Sequence, residues 1–144
     1  MRMRRKRNLE ARLEACGNKI IYLDRDEKNF QVKDTSSLLD HKQLFGNDSP
    51  VILEIGCGKG QFAIEYAKAH PEVNILAVEK SSNVIVDAAE NAIEQQIPNL
   101  IFLRGNAEYL NKSDIVSSDS GRNHFHIINC FFVYGITAEN LDCL

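Results

Sequence analysis

The residues most suited to chemistry stand together in "VILEIGCGKG": Glu54, then Gly56, Gly58 and Gly60, in the spacing E-x-G-x-G-x-G. Glycines directly after an apolar run let backbone close on a ligand, because no Cβ intervenes. Loops of this kind commonly cradle nucleotides at a helix N-terminus, yet a carboxylate ahead of the glycines repels phosphate. The NTPase loop G-x-x-x-x-G-K-[ST] does not fit, since Lys59 precedes Gly60 and neither Ser nor Thr follows. The dinucleotide fingerprint G-x-G-x-x-G needs a third glycine where Gln61 stands. S-adenosylmethionine fits better: its ammonium and sulfonium are attracted by the same acid that turns a diphosphate away.

Two further polar residues close later apolar runs. Glu79 ends "VNILAVE", where doubly wound folds hold an acid against ribose hydroxyls. Such an acid indicates a nucleoside without choosing between dinucleotide and adenosylmethionine. Asn106 follows "LIFLRG", and its amide can donate and accept at an adenine edge. Asn is also a preferred helix cap, so both readings of Asn106 stay open. Lys59 is expected to point to solvent and Cys57 to fill the loop.

These residues need a scaffold that brings strand ends together. "VILEI" reads as a buried strand, "QFAIEYAKAH" as a helix stopped by Pro71, "VNILAVE" as a second strand. Ser81 or Ser82 is expected to cap a helix whose buried face is Ile85, Ala88, Ala89, Ala92, Ile93 and Gln96, ending before Pro98. "LIFLRG" is the third strand and "HFHIINCFFVYG" a fourth, beside the first, after the polar loop "NKSDIVSSDSGRN". Alternating strands and helices predict an α/β fold, a doubly wound, mostly parallel sheet with right-handed crossovers. Ahead of it, "NLEARLEAC" predicts a short helix capped by Asn8, and the mixed, polar stretch ending in "GNDSP" reads as an approach segment. The expected organisation is therefore a basic arm and approach over 1–50, then a cofactor-binding domain over 51–144.

Composition narrows the function classes. With 44% hydrophobic and 26% charged residues over 144, the chain reads as a soluble globular domain. No apolar run approaches the ~20 residues of a membrane span. The cysteines Cys16, Cys57, Cys130 and Cys143 form no C-x-x-C pair, which suits free thiols in the cytoplasm. "MRMRRKR" holds five of the 17 basic residues and no acid, so the body of the chain is strongly acidic. A basic arm on an acidic body suggests a polyanionic partner such as nucleic acid.

Taken in order, "MRMRRK", "LEAC", "LFGND", "LEIGCGKGQF", "HPEVN", "VEKSSNVIV" and "NAEYL" resemble the bacterial tRNA (guanine-N7)-methyltransferase family, over residues 1 to about 110. The resemblance implies a Rossmann-like class I methyltransferase fold and S-adenosylmethionine as cofactor. It implies methyl transfer to N7 of a guanine in the tRNA variable loop, in the cytoplasm. It also implies that Glu54, Glu79 and Asn106 contact the cofactor, although the family commonly has Asp at the third position. Arg2, Arg4, Arg5, Lys6 and Arg7 are then expected at tRNA phosphates. Downstream, "HIINCFFVYGITAENLDCL" stands where the family carries Asp-Pro-Trp and a basic run. No catalytic residue can be carried over; the C-terminal strands are expected to be missing, by truncation or frameshift, with impaired turnover, the alternative being a genuine divergent variant. The alternatives are a non-catalytic RNA-binding module with a vestigial cofactor loop and, less favoured by Gln61 and Glu54, a dinucleotide-dependent oxidoreductase.

Overall fold

The computed structural model describes residues 4–22, 41–107 and 125–128. In chain order its elements are helix α1 (Leu9–Ala15), a 3-10 turn (Gly17–Lys19), strand β1 (Ile20–Tyr22), helix α2 (His41–Phe45), β2 (Val51–Ile55), α3 (Gln61–Ala69), β3 (Asn74–Glu79), α4 (Ser82–Glu94), β4 (Leu100–Arg104) and β5 (Phe125–Ile128). The strands form one five-stranded sheet in the order β1-β4-β3-β2-β5, with every neighbouring pair parallel. This is the doubly wound α/β arrangement that the alternation of apolar runs predicts. The fourth expected strand lies beside the first, with β5 in register on β2 from Val51–Phe125 to Glu54–Ile128.

Near-continuous apolar runs form these strands because both faces of the sheet are covered. On one face Ile52, Ile75, Ala77, Leu100 and Phe102 pack against Ala63, Ile64 and Ala67 of α3 and Ile85, Ala88, Ala89 and Ala92 of α4. Leu9 and Cys16, from the α1 region, complete that layer. On the opposite face Leu53, Ile55, Leu76, Val78 and Leu103 form a second cluster, against which Leu44 and Phe45 of α2 pack. No helix among the described residues is long and apolar enough to cross a membrane.

Several local expectations change. β1 and α2 are too short to stand out from polar surroundings. β1 is a strand because Ile20, Ile21 and Tyr22 pair with Phe102, Leu103 and Arg104. Asn8 occupies the N-cap of α1 but in the left-handed region (φ 54°), with no side-chain cap bond. Ser81 likewise caps α4 by position only. The buried stripe of α4 stops at Ala92: Ile93 is 44% exposed and Gln96 lies beyond the helix. A tight C-terminal turn, in which Gln96 adopts φ 54°, ends the helix. Its N–H donates to the Ile93 carbonyl at 3.0 Å, and the Ile97 N–H donates to that of Ala92 at 3.1 Å. Ile97, not Gln96, is the residue this turn returns to the core.

Residues 23–40 of the approach segment, the polar loop at 111–123 and the tail from 129 onward lie outside the described residues. So do the expectations of a longer fourth strand and of missing C-terminal strands.

Candidate functional site

The parallel sheet sets the carboxyl ends of β2, β3, β4 and β1 along one edge. As the chain leaves β2, the N–H groups of Gly56 and Cys57 both donate to the Val78 carbonyl, at 2.8 and 3.0 Å. The glycine loop is thereby pinned over the end of β3. Gly56, Gly58 and Gly60 have φ of 73°, 57° and 73°, a left-handed conformation that other L-residues rarely adopt.

Two of these glycines have different neighbours. A Cβ on Gly60 would lie 2.9 Å from the Ala88 Cβ and 3.1–3.2 Å from the Phe102 ring. Gly60 therefore lets the start of α3 settle against α4 and β4. A Cβ on Gly58 would meet nothing within 4 Å. That side of the loop is open, as a ligand cradle requires.

The two candidate acids also differ. Glu54 pairs in register with Ala77, and Ala77 alternates with Glu79, so both acids face the α3–α4 side of the sheet. Glu79 uses both oxygens inside the protein: Oε2 accepts the Gly58 N–H at 3.2 Å and Oε1 the Ser81 N–H at 2.9 Å. Glu54 is 4% exposed, and its Oε2 finds no hydrogen-bond partner among the described residues. Burial pushes its carboxyl up to about 7. The nearby Cys57 thiol is also raised, first by burial and then by the two carboxylates. Lys59 is exposed, as expected, and Cys57 is a buried free thiol.

Asn106 stands two residues beyond β4, half-buried, after Gly105, whose N–H donates to the Glu79 carbonyl at 3.1 Å. The ends of β2, β3 and β4 thus bring Glu54, the glycine loop, Glu79 and Asn106 to one edge. Spacing alone did not reveal that Glu79 is already engaged by loop amides, or that Phe102 and Ala88 are what Gly60 accommodates. Both depend on contacts between separate elements.

The basic arm lies along α4. The Lys6 N–H donates to Asn83 Oδ1 at 2.9 Å, Asn83 Nδ2 donates to the Arg4 carbonyl at 3.3 Å, and the Lys6 ammonium pairs with Asp87. Arg12 forks onto Glu90 at 2.6–2.7 Å and reaches Asp87 at 3.0 Å. The Arg12 hydrogen bonds hold the Glu90 carboxyl below its usual range; at Asp87, bonds from Lys6 and Arg12 outweigh partial burial to the same effect. Arg5 pairs with Glu10, whereas Arg4 and Arg7 are exposed. Arg2 lies outside the described residues.

A family model described as "Putative methyltransferase" matches residues 48–119. A tRNA (guanine-N(7)-)-methyltransferase of Bacillus cytotoxicus is 48% identical over 69 residues, which are 48% of this chain and 32% of that protein. The chain therefore spans about a third of the length of this curated relative. Among solved structures, PKMT2 from Rickettsia typhi is 26% identical over 48% of this chain and 14% of its own, with a TM-score of 0.41. A 30S ribosomal A1408 methyltransferase from an uncultured bacterium is 19% identical over 60% of this chain and 41% of its own, with a TM-score of 0.45. With half of its length, including the glycine loop and both acids, inside the matched region, the chain belongs to this methyltransferase family.

Proposed function

We propose that this chain binds S-adenosylmethionine at the carboxyl edge of β2 and β3 and serves methylation of guanine N7 in tRNA. The observation that carries the reading is the Glu54 carboxyl, buried and without a partner on Oε2 among the described residues. A buried acid of this kind is costly unless a cation comes to it. A nucleotide phosphate would make the site worse.

The residues present fit the cofactor. Glu54 would hold its cationic amino-acid end, and the open side of Gly58 admits its backbone-like tail. Glu79 would turn an oxygen from the loop amides to the ribose hydroxyls, and Asn106 would meet the adenine edge. When bound, S-adenosylmethionine supplies a methyl group on a sulfonium. Guanine N7 carries a free lone pair, so no base is required and the protein's contribution is alignment and electrostatics. No described residue is assigned to the guanine.

The relative from Bacillus cytotoxicus supports the tRNA substrate by its name. In this reading residues 51–144 form the cofactor domain, α1 and β1 belong to its core and sheet, and the protein works in the cytoplasm. Arg2, Arg4, Arg5 and Arg7 would meet tRNA phosphates, while Lys6, already on Asp87, chiefly holds the arm in place.

Equilibrium dialysis of the chain with labelled S-adenosylmethionine tests the proposal. Saturable uptake that Glu54→Gln weakens is the expected result; absence of uptake would reject it.

A further inference from the structure

We propose that Lys80 and Arg104 join Arg4 and Arg7 in a cationic rim beside the cofactor site, and that this rim takes the phosphate backbone of an RNA. The inference rests on the tRNA reading above and adds two residues far from the basic arm in sequence.

The placement follows from a chain of contacts. Arg104, the last residue of β4, donates from Nε to Ser82 Oγ at 3.1 Å. Ser82 opens α4 next to Asn83, and Asn83 Nδ2 holds the Arg4 carbonyl. Lys80 lies between Glu79 and Ser81, in the same turn. Arm, α4 start and β4 end therefore meet on the carboxyl edge of the sheet, where Glu79 also ends β3.

The exposed charge at this rim is mainly positive. Asp87 is paired with Lys6 and Arg12, Glu90 with Arg12 and Glu10 with Arg5, and Glu79 turns both oxygens inward onto backbone N–H groups. Arg4, Arg7, Lys80 and Arg104 are exposed, and among the described residues none of them pairs with a carboxylate. Tyr22, in register with Arg104 on the adjoining strand, is 46% exposed and adds an aromatic ring to this edge. A cation row with one exposed aromatic ring suits a sugar–phosphate chain with an unstacked base better than an acidic protein face.

The test is fluorescence anisotropy of the whole chain with an unmodified tRNA transcript across a NaCl series. Each phosphate contact contributes about 0.7–0.9 to the slope of log affinity against log salt. Lys80→Ala with Arg104→Ala should lower that slope by roughly 1.5, leave S-adenosylmethionine uptake unchanged, and be rescued by Lys80→Arg with Arg104→Lys. If the double alanine variant does not fold, Lys80→Glu alone reads the same slope. A salt slope in these variants equal to that of wild type overturns the rim while leaving the tRNA reading intact. A wild-type chain that takes up S-adenosylmethionine but binds no tRNA overturns both, and preference for an acidic protein over RNA overturns the choice of partner.

Discussion

Glu54 and Glu79 face the same side of adjacent parallel strands, but only Glu79 is satisfied. Its two oxygens accept the Gly58 and Ser81 N–H groups, whereas Glu54 Oε2 accepts nothing among the described residues. One acid shapes the loop, while the other is offered no partner on Oε2 by any described residue.

The ligand-free stability should therefore depend on pH through Glu54. Its carboxyl titrates at about 7 folded against 4.5 for an unperturbed one, so the folded chain holds a proton that the unfolded chain releases between those values. The Glu54 contribution thus falls as pH rises from 4.5 to 7 and is constant above. At about 1.4 kcal/mol for each tenfold change in proton affinity, the loss is on the order of 3 kcal/mol. Glu54→Gln should raise the Tm of the ligand-free protein at pH 8, with the gap closing towards pH 5. A gap independent of pH would contradict this origin.

The same proton should be linked to cofactor binding. A cation placed beside Glu54 favours its ionised form, so binding below pH 7 expels a proton. Affinity for S-adenosylmethionine should weaken by up to about tenfold per pH unit as pH falls from 7 towards 5. Calorimetry in buffers of different ionisation enthalpy counts the protons released. Wild type should release close to one near pH 6, and Glu54→Gln none.

Gly60 and Gly58 should separate stability from binding. Gly60→Ala places a methyl group against Ala88 and Phe102 at a left-handed φ, and should cost about 2–4 kcal/mol by overpacking and backbone strain. Gly58→Ala meets open space, so only the backbone strain of about 1–2 kcal/mol applies, yet its methyl group projects into the proposed cradle. Denaturant titration should rank Gly60→Ala as the more damaging. Dialysis of the folded Gly58→Ala protein should show weakened cofactor uptake.

Arg12 should govern the basic arm. Arg12→Ala removes the fork onto Glu90 and the bond to Asp87, leaving Lys6, among the described residues, to hold the arm to α4 through its side chain. Limited trypsin digestion should then cut within residues 4–7 several-fold faster than in wild type. Raising the salt concentration should move wild type in the same direction, because these pairs are partly exposed. Equal cutting rates in the two proteins would remove Arg12 from this role.

The sequence made the central βαβαβ unit legible because its runs are long and uninterrupted. "VILEI" is β2 from end to end, and Pro71 and Pro98 follow the helices they were expected to close. The glycine spacing and both acids were legible for the same reason, since each sits at the end of a strong apolar run. β1 was not, because three residues become a strand only through β4. The end of α4 was not either, because helical periodicity carries no sign of where a left-handed Gln96 follows the helix. The route of the arm was equally hidden, since Arg12 finds Glu90 and Asp87 only once α1 and α4 are side by side.

The most direct measurement is isothermal titration of the whole chain at pH 7.5 with S-adenosylmethionine, NADH and ATP, repeated with Glu54→Gln. Saturable binding of the methyl donor alone, weakened at least tenfold by the substitution, is the outcome that a buried acid awaiting a cation predicts. Binding of either phosphate-bearing ligand in preference, or methyl-donor affinity that ignores Glu54→Gln, would contradict it.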